Sequence, residues 1–290
     1  MEKENKIHWK EYEPNNIYNV DSYEAIKKIP DNSIDLIITD PPYEIIGGGG
    51  GGCFGTGQRN YHAEYTALDR KDTKREGLRI SSNFNNLKSN LQAICGGFDY
   101  SLLEELDRVM KKINIYIWCN KNQVRPLMQH YEEKGCNVDL LVWCKTNPLP
   151  TCNNKYLSDL EYCVFARANN TALHGTYETK SKFLVSPANV EDKKKYKHPT
   201  IKPLNRIKDY IINSSNEGDI VLDVFLGSGT TAVASKELGR QYIGFELNKE
   251  YFDIAQDRLK GITQIERKQK DAGILDIFDF LGEEEWIIKR

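Results

Sequence analysis

The stretch 219–246 constrains the fold most. Asp219-Ile220-Val221-Leu222-Asp223-Val224-Phe225 is an apolar run of strand length, and Leu226-Gly227-Ser228-Gly229-Thr230-Thr231 is a glycine turn. Residues 232–238 follow with a helix pattern, and Gln241-Tyr242-Ile243-Gly244-Phe245-Glu246 is a second strand. Strand, turn, helix and strand in that order make a βαβ unit with parallel strands. Its glycines let a ligand approach bare backbone, and the helix start offers free N–H groups at the positive end of its dipole. No lysine follows the second glycine, so this is not a phosphate-cradling P-loop. The spacing also lacks the third glycine of the dinucleotide fingerprint. A cofactor with a carboxylate and an uncharged sugar suits the turn better than a pyrophosphate. Glu246, at the end of the second strand, is placed to accept both hydroxyls of a ribose. Asn248 is a candidate cap for a helix over 249–260, with Tyr251, Ile254, Ala255 and Leu259 at helical spacing.

A second signal lies far upstream. The apolar run 34–39 ends in Asp40-Pro41-Pro42-Tyr43. Two adjacent prolines stiffen the turn and remove two N–H donors. A short acid at a strand's mouth, with a ring three residues later, suits an exocyclic amino group: the carboxylate and a carbonyl accept its hydrogens, and the ring stacks on the heterocycle.

Between these signals, strands and helices alternate. Strands are expected at 17–20, 113–119, 138–144 and 159–166, and helices at 23–29, 98–112 and 124–134. The prolines at 148 and 150 stop the strand before them. The alternation argues for an α/β, doubly wound, mostly parallel sheet. One domain over 1–290 is expected, with a catalytic half at about 15–168, a polar segment at 169–197, a cofactor half at about 198–262 and a tail at 263–290. The glycine run 47–52 opens an insertion over about 44–95, expected to be mobile and to act as a lid or a substrate-contacting loop.

Together, the Asp223 to Thr231 motif, Glu246 and Asp40-Pro41-Pro42-Tyr43 resemble the S-adenosylmethionine-dependent amino-methyltransferases of DNA. The acidic motif precedes the glycine motif, which matches the family's β-class order. His198-Pro199-Thr200-Ile201-Lys202-Pro203, followed by Leu204, Asn205 and Arg206, is similar to the family's His-Pro-Thr-x-Lys-Pro segment. Asn19-Val20-Asp21 resembles the acidic loop before the catalytic strand. The likeness covers the chain except about 44–95 and the last thirty or so residues.

The resemblance implies a Rossmann-like, circularly permuted sheet of seven strands, one antiparallel, with S-adenosylmethionine as cofactor and DNA as partner. The DNA is double-stranded or single-stranded. Asp40 and the Pro41 carbonyl would accept the target's amino hydrogens, in the turn that Pro42 stiffens, and Tyr43 would stack on a base flipped from the helix. Phe225, Gly227, Ser228 and Gly229 would wrap the methionine end, with Thr230 and Thr231 at the helix start. Asp223 would hold the donor's amino group or order the turn. Glu246 takes the ribose, Asp21 approaches the adenine, and Lys202 with Thr200 approaches the carboxylate. Aspartate rather than serine at position 40 favours adenine N6. Cytosine N4 is the alternative, and RNA or protein glutamine a more distant one. Such enzymes serve restriction-modification systems, phages or orphan modification, and their β-class members often form homodimers.

Composition fits this and excludes other classes. No run nears the ~18 apolar residues of a membrane span, and no signal-peptide stretch opens the chain. A cytoplasmic protein of a bacterium, archaeon or phage is expected. Seven scattered cysteines without a Cys-x-x-Cys pair, and dispersed histidines, predict no metal. Cys119, Cys144 and Cys163 are expected as buried thiols. The net charge of −2 argues against strong nonspecific DNA binding, although Lys71 to Arg79 and Lys193 to Lys197 are locally basic. Glu283 to Glu285 contribute negative charge near the tail.

Overall fold

A computed structural model of the chain describes residues 9, 11–43, 99–148, 156–188, 192, 195–196 and 201–262. The expected insertion at 44–95, the glycine run within it, Thr200 and the tail lie outside the described residues.

Eight strands form one sheet in the order β1-β8-β7-β2-β3-β5-β4-β6. They are β1 Asn16–Tyr18, β2 Leu36–Thr39, β3 Asn114–Cys119, β4 Asn137–Lys145, β5 Leu160–Arg167, β6 Phe183–Ser186, β7 Ile220–Asp223 and β8 Gln241–Phe245. All run parallel except β5, which is antiparallel to both β3 and β4. The doubly wound sheet with one antiparallel strand is as expected. Among the described residues the count is eight rather than seven, with short strands β1 and β6 at the two edges of the sheet.

Helices cover both faces: α1 Ser22–Ala25, continued by a 3-10 turn Ile26–Lys28, then α2 Leu102–Val109, α3 Lys121–Glu133, α4 Leu204–Ser214, α5 Thr230–Glu237 and α6 Lys249–Leu259. Among the described residues, no helix is long and apolar enough to cross a membrane.

Side-chain alternation along the strands builds the two core layers. Ile37 of β2, Ile115 and Ile117 of β3 and Leu222 of β7 pack against α1, α2 and α3 through Ile26, Leu103, Leu106, Leu127 and Tyr131. Their neighbours Leu36, Ile38, Tyr116, Trp118 and Val221 face the other way, onto Ile207, Tyr210 and Ile211 of α4. There Tyr116 is stacked between Phe165, at 4.1 Å, and Tyr210, at 4.2 Å. Each fully buried large side chain contributes roughly 1.5–3 kcal/mol, which fixes the central strands and the loops that leave them.

Helix α3 begins earlier than its periodicity suggests. Asn120 accepts from the N–H groups of Asn122 and Gln123 while Gln123 reaches back to the Asn120 N–H, a reciprocal cap that starts the helix at Lys121. Cys119 and Cys163 are buried, as expected, and Cys144 is half-buried.

Candidate active site

The chain reverses its direction of travel across the sheet between β2 and β7. From β2 it proceeds to β3 on one side, and from β7 through α5 to β8 on the other. At such a switch point a crevice opens beyond the carboxyl ends of the strands. Thr39 ends β2 and Asp223 ends β7, and the Thr39 hydroxyl donates to Asp223 Oδ1 at 3.1 Å. The two loops read from the sequence leave from this joint.

The glycine turn is stitched by backbone. Phe225 N–H donates to Asp223 Oδ1 at 3.1 Å, Leu226 N–H to the Phe245 carbonyl at 2.9 Å, and Gly227 N–H to Glu246 Oε2 at 2.7 Å. Gly229 stands at φ 80°, where a Cβ would also lie 2.8 Å from the Cβ of Ala255 on α6. Only glycine lets α5 start there against α6. Buried Arg258 of α6 clamps the turn, donating to the Ser228 carbonyl and hydroxyl at 2.8 Å and to Thr230 Oγ1 at 3.0 Å. Burial pushes the Asp223 carboxyl up to about 7, against the hydrogen bonds from Thr231, Phe225 and Thr39.

Glu246 borders this turn. Its Oε1 accepts from Asn248 N–H at 2.8 Å, and burial raises its carboxyl above the usual range. Strand β1 lies beside it: Val20 N–H donates to the Glu246 carbonyl at 3.2 Å, and Asn19 Nδ2 to the same oxygen at 2.8 Å. Asp21 is exposed and caps α1 by accepting from Tyr23 N–H at 2.9 Å. The Tyr23 ring meets Phe225 edge-on at 6.3 Å, and the Ser22 hydroxyl donates to the Val224 carbonyl. Asp21, Phe225 and Glu246 are thus drawn around one glycine-lined turn. The arrangement fits a small donor with a sugar and an amino-acid end: bare backbone, a ribose-competent acid and an open helix start.

The acidic loop after β2 is held largely by charge. Pro41 is buried, and the Pro42 carbonyl accepts from Gln123 Nε2 at 3.1 Å, so the capped start of α3 seats the loop. Asp40 Oδ2 lies 2.7 Å from Lys202 Nζ. Among the described residues, its buried Oδ1 has no hydrogen-bond partner. Lys202 Nζ also donates to the Tyr43 hydroxyl at 3.0 Å and lies over the rings of Tyr43, at 5.2 Å, and Trp118, at 5.0 Å. Glu161 completes the group, 3.0 Å from Lys202 and paired on its other side with Lys145. Burial pushes the Asp40 carboxyl up and Lys202 pulls it back, leaving it above the ordinary range. Burial also opposes the charged form of Glu161, but Lys202 and Lys145 outweigh it and hold that carboxyl at about 2.

The structure therefore gathers the expected residues into two adjoining groups. Asp40, Pro41, Pro42 and Tyr43 form one; Asp21, Asp223, Phe225, Gly227, Ser228, Gly229, Thr230, Thr231 and Glu246 form the other. Lys202, expected near the donor's carboxylate, contacts the acidic loop at Asp40 and Tyr43. Glu161, Lys145, Gln123, Trp118, Asn19 and Arg258 were not expected at the site. A charged residue inside the apolar run 159–166 was the available signal for Glu161.

Residues 34–257 match the family described as DNA methylase, of the N6 and N4 amino-methyltransferases. The chain belongs to this DNA methylase family. The methyltransferase is 30% identical over 279 residues to Type II methyltransferase M2.LlaDCHI of Lactococcus lactis subsp. cremoris, covering 90% of this chain and 92% of that one. It is 28% identical to Type II methyltransferase M2.DpnII of Streptococcus pneumoniae, covering 83% of this chain and 87% of the relative. Among solved structures, it resembles the M1.HpyAVI–SAM complex with a TM-score of 0.56 and 27% identity, over 84% of this chain and 98% of that one. A cytosine-N4-specific enzyme, PvuII DNA methyltransferase, shares the fold at a TM-score of 0.56 and 16% identity.

Proposed function

We propose that this methyltransferase moves a methyl group from S-adenosylmethionine to the N6 amino group of adenine in double-stranded DNA, at a specific site. The observation that carries this is the Thr39–Asp223 hydrogen bond, which joins the tips of β2 and β7 and sets the acidic loop beside the glycine turn.

S-adenosylmethionine, once bound, supplies an electrophilic methyl on a sulfonium. Glu246 would take the ribose hydroxyls, since each of its oxygens accepts one backbone N–H and keeps capacity for another bond. Phe225 and the glycine turn would line the methionine end, Asp223 would meet its amino group, and Asp21 the adenine. The target base must leave the duplex to reach the crevice. Tyr43 then stacks on it, an interaction worth roughly 1–3 kcal/mol. The amine's lone pair is conjugated into the ring and is weakly nucleophilic. Asp40 Oδ1 and the Pro41 carbonyl would accept hydrogen bonds from its two N–H groups, pull the nitrogen toward tetrahedral geometry and free the lone pair to displace the donor's sulfur as a neutral thioether, the surplus amino proton passing to Asp40. That Oδ1 has no hydrogen-bond partner among the described residues supports this role. Position and electrostatics do the work, and no covalent intermediate on the protein is needed.

Nucleoside mass spectrometry of DNA incubated with the protein and S-adenosylmethionine tests the reading, with N6-methyladenine expected. N4-methylcytosine would replace the adenine assignment, and no methylated nucleoside on any DNA would overturn the whole reading.

A further inference from the structure

We propose that Glu161 is a positioning residue for the methyl transfer: it shares Lys202 with Asp40, and so sets how much of the catalytic carboxylate is left to receive the target's amino group. This rests on the reading of Asp40 as the amine's acceptor.

Topology explains how Glu161 reaches the site. A parallel strand points its carboxyl end at the crevice, whereas β5 runs the other way and delivers its first residues there. Tyr162 pairs with Cys119, the last residue of β3, and Glu161 pairs with Trp143 near the end of β4. The single antiparallel strand thus brings an acid to the rim from the side opposite Asp40. Four side chains then form a row of alternating charge: Lys145, Glu161, Lys202 and Asp40. The inner pair is nearly sealed, with Lys202 at 8% and Glu161 at 9% exposure. Asp40 retains 26% exposure, so the open end of the row is the catalytic one.

Lys202 therefore has two carboxylate seats, at 2.7 Å and 3.0 Å. An incoming amine needs electron density from Asp40, and a cation owned by Asp40 alone would withdraw it. Glu161 takes part of that cation's attraction, while Lys145 keeps Glu161 from standing as an uncompensated buried charge. The groups acting on Asp40 are Lys202, Glu161 and Tyr43, with Asp223 and Cys119 electrostatically coupled to it from β7 and β3. Removing the Glu161 charge takes a like charge from beside Asp40 and leaves Lys202 with one carboxylate partner. Asp40 then becomes a weaker acceptor that ionises at lower pH.

Single-turnover transfer of labelled methyl to DNA, followed across pH, tests this with Glu161→Gln and Glu161→Asp, alongside calorimetric donor affinity. The count of transferred methyl does not depend on which base receives it. Glu161→Gln should slow transfer by about tenfold, the equivalent of one pKa unit, move the acid limb of the rate profile to lower pH and leave donor affinity unchanged. Glu161→Asp should recover part of the rate. A wild-type rate and acid limb in Glu161→Gln would overturn the proposal, as would a slower rate with an unmoved acid limb. If Glu161→Gln fails to fold, Lys145→Met combined with Glu161→Gln removes one charge of each sign. The same slowing and shift are then expected, and wild-type behaviour overturns the proposal. Failure of the wild type to methylate DNA would instead sink the reading of Asp40.

Discussion

The two loops at the switch point are secured in different proportions by hydrogen bonds and by ion pairs. The glycine turn after β7 is tied down mostly by hydrogen bonds, from the N–H groups of Phe225, Leu226 and Gly227 and the Thr39 hydroxyl, with the Arg258 guanidinium donating to Ser228 and Thr230. The acidic loop after β2 leans on ions, with Lys202 between Asp40 and Glu161. The difference follows from the tasks. A turn proposed to hold the donor through its backbone needs a fixed shape, which hydrogen bonds and glycine dihedrals provide. An acid proposed to accept a hydrogen bond from the target's amine needs a tuned charge, and buried ion pairs provide it while adding little net stability.

The contrast is broken most severely at Asp40. Asp40→Ala should lower turnover by about 10²–10⁴, the range for a proton-handling group, while calorimetry finds donor affinity intact. An equal loss of donor affinity would show that the loops do not divide their labour.

A smaller effect is expected at the glycine turn. Gly229→Ala forces a side chain onto a φ of 80° and into Ala255 at 2.8 Å. Denaturant unfolding should report a loss of about 1–3 kcal/mol, with weakened donor binding. Unchanged stability would mean that the turn is slack rather than fixed.

A third effect, of comparable size and dependent on pH, concerns the acid at the head of the glycine turn. Burial raises the Asp223 carboxyl from 3.8 to about 7, so the folded chain binds this proton more tightly than the unfolded one. Asp223 therefore favours folding below its unfolded value, and that contribution is lost as pH rises toward about 7. Asp223→Asn keeps the Oδ1 acceptor and removes the titration. The variant's melting temperature relative to wild type should climb from about pH 5 to about pH 8. A constant difference would place Asp223 in an environment no drier than the surface.

Much of this architecture was legible because the decisive strands are apolar and end in conspicuous residues. The runs at 34–39, 219–225 and 241–246 contain β2, β7 and β8, and Asp40 and Glu246 stand immediately after two of them. Strand β6 escaped notice because Phe183–Ser186 is a half-exposed edge piece within polar sequence, too short for its alternation to stand out. Helix α4 carries Ile207, Tyr210 and Ile211 at helical spacing, a pattern that was available in the sequence and passed over. Glu161 and Lys202 meet only because β5 is antiparallel and packs between β3 and β4, a non-local fact that no window of sequence contains. Arg258 likewise looks like an ordinary helix cation until α6 is laid across the glycine turn.

The short pairing of β1 with β8 has a consequence for how the molecule is made. Asn16 lies opposite Ile243, and the Glu246 carbonyl is held by the side chain of Asn19, 227 positions away. During translation, β2 to β5 and their helices emerge and can condense while this early strand waits for its neighbour. Glu246 is braced only after residue 246 has left the ribosome, so the crevice waits on a contact between residues 227 positions apart.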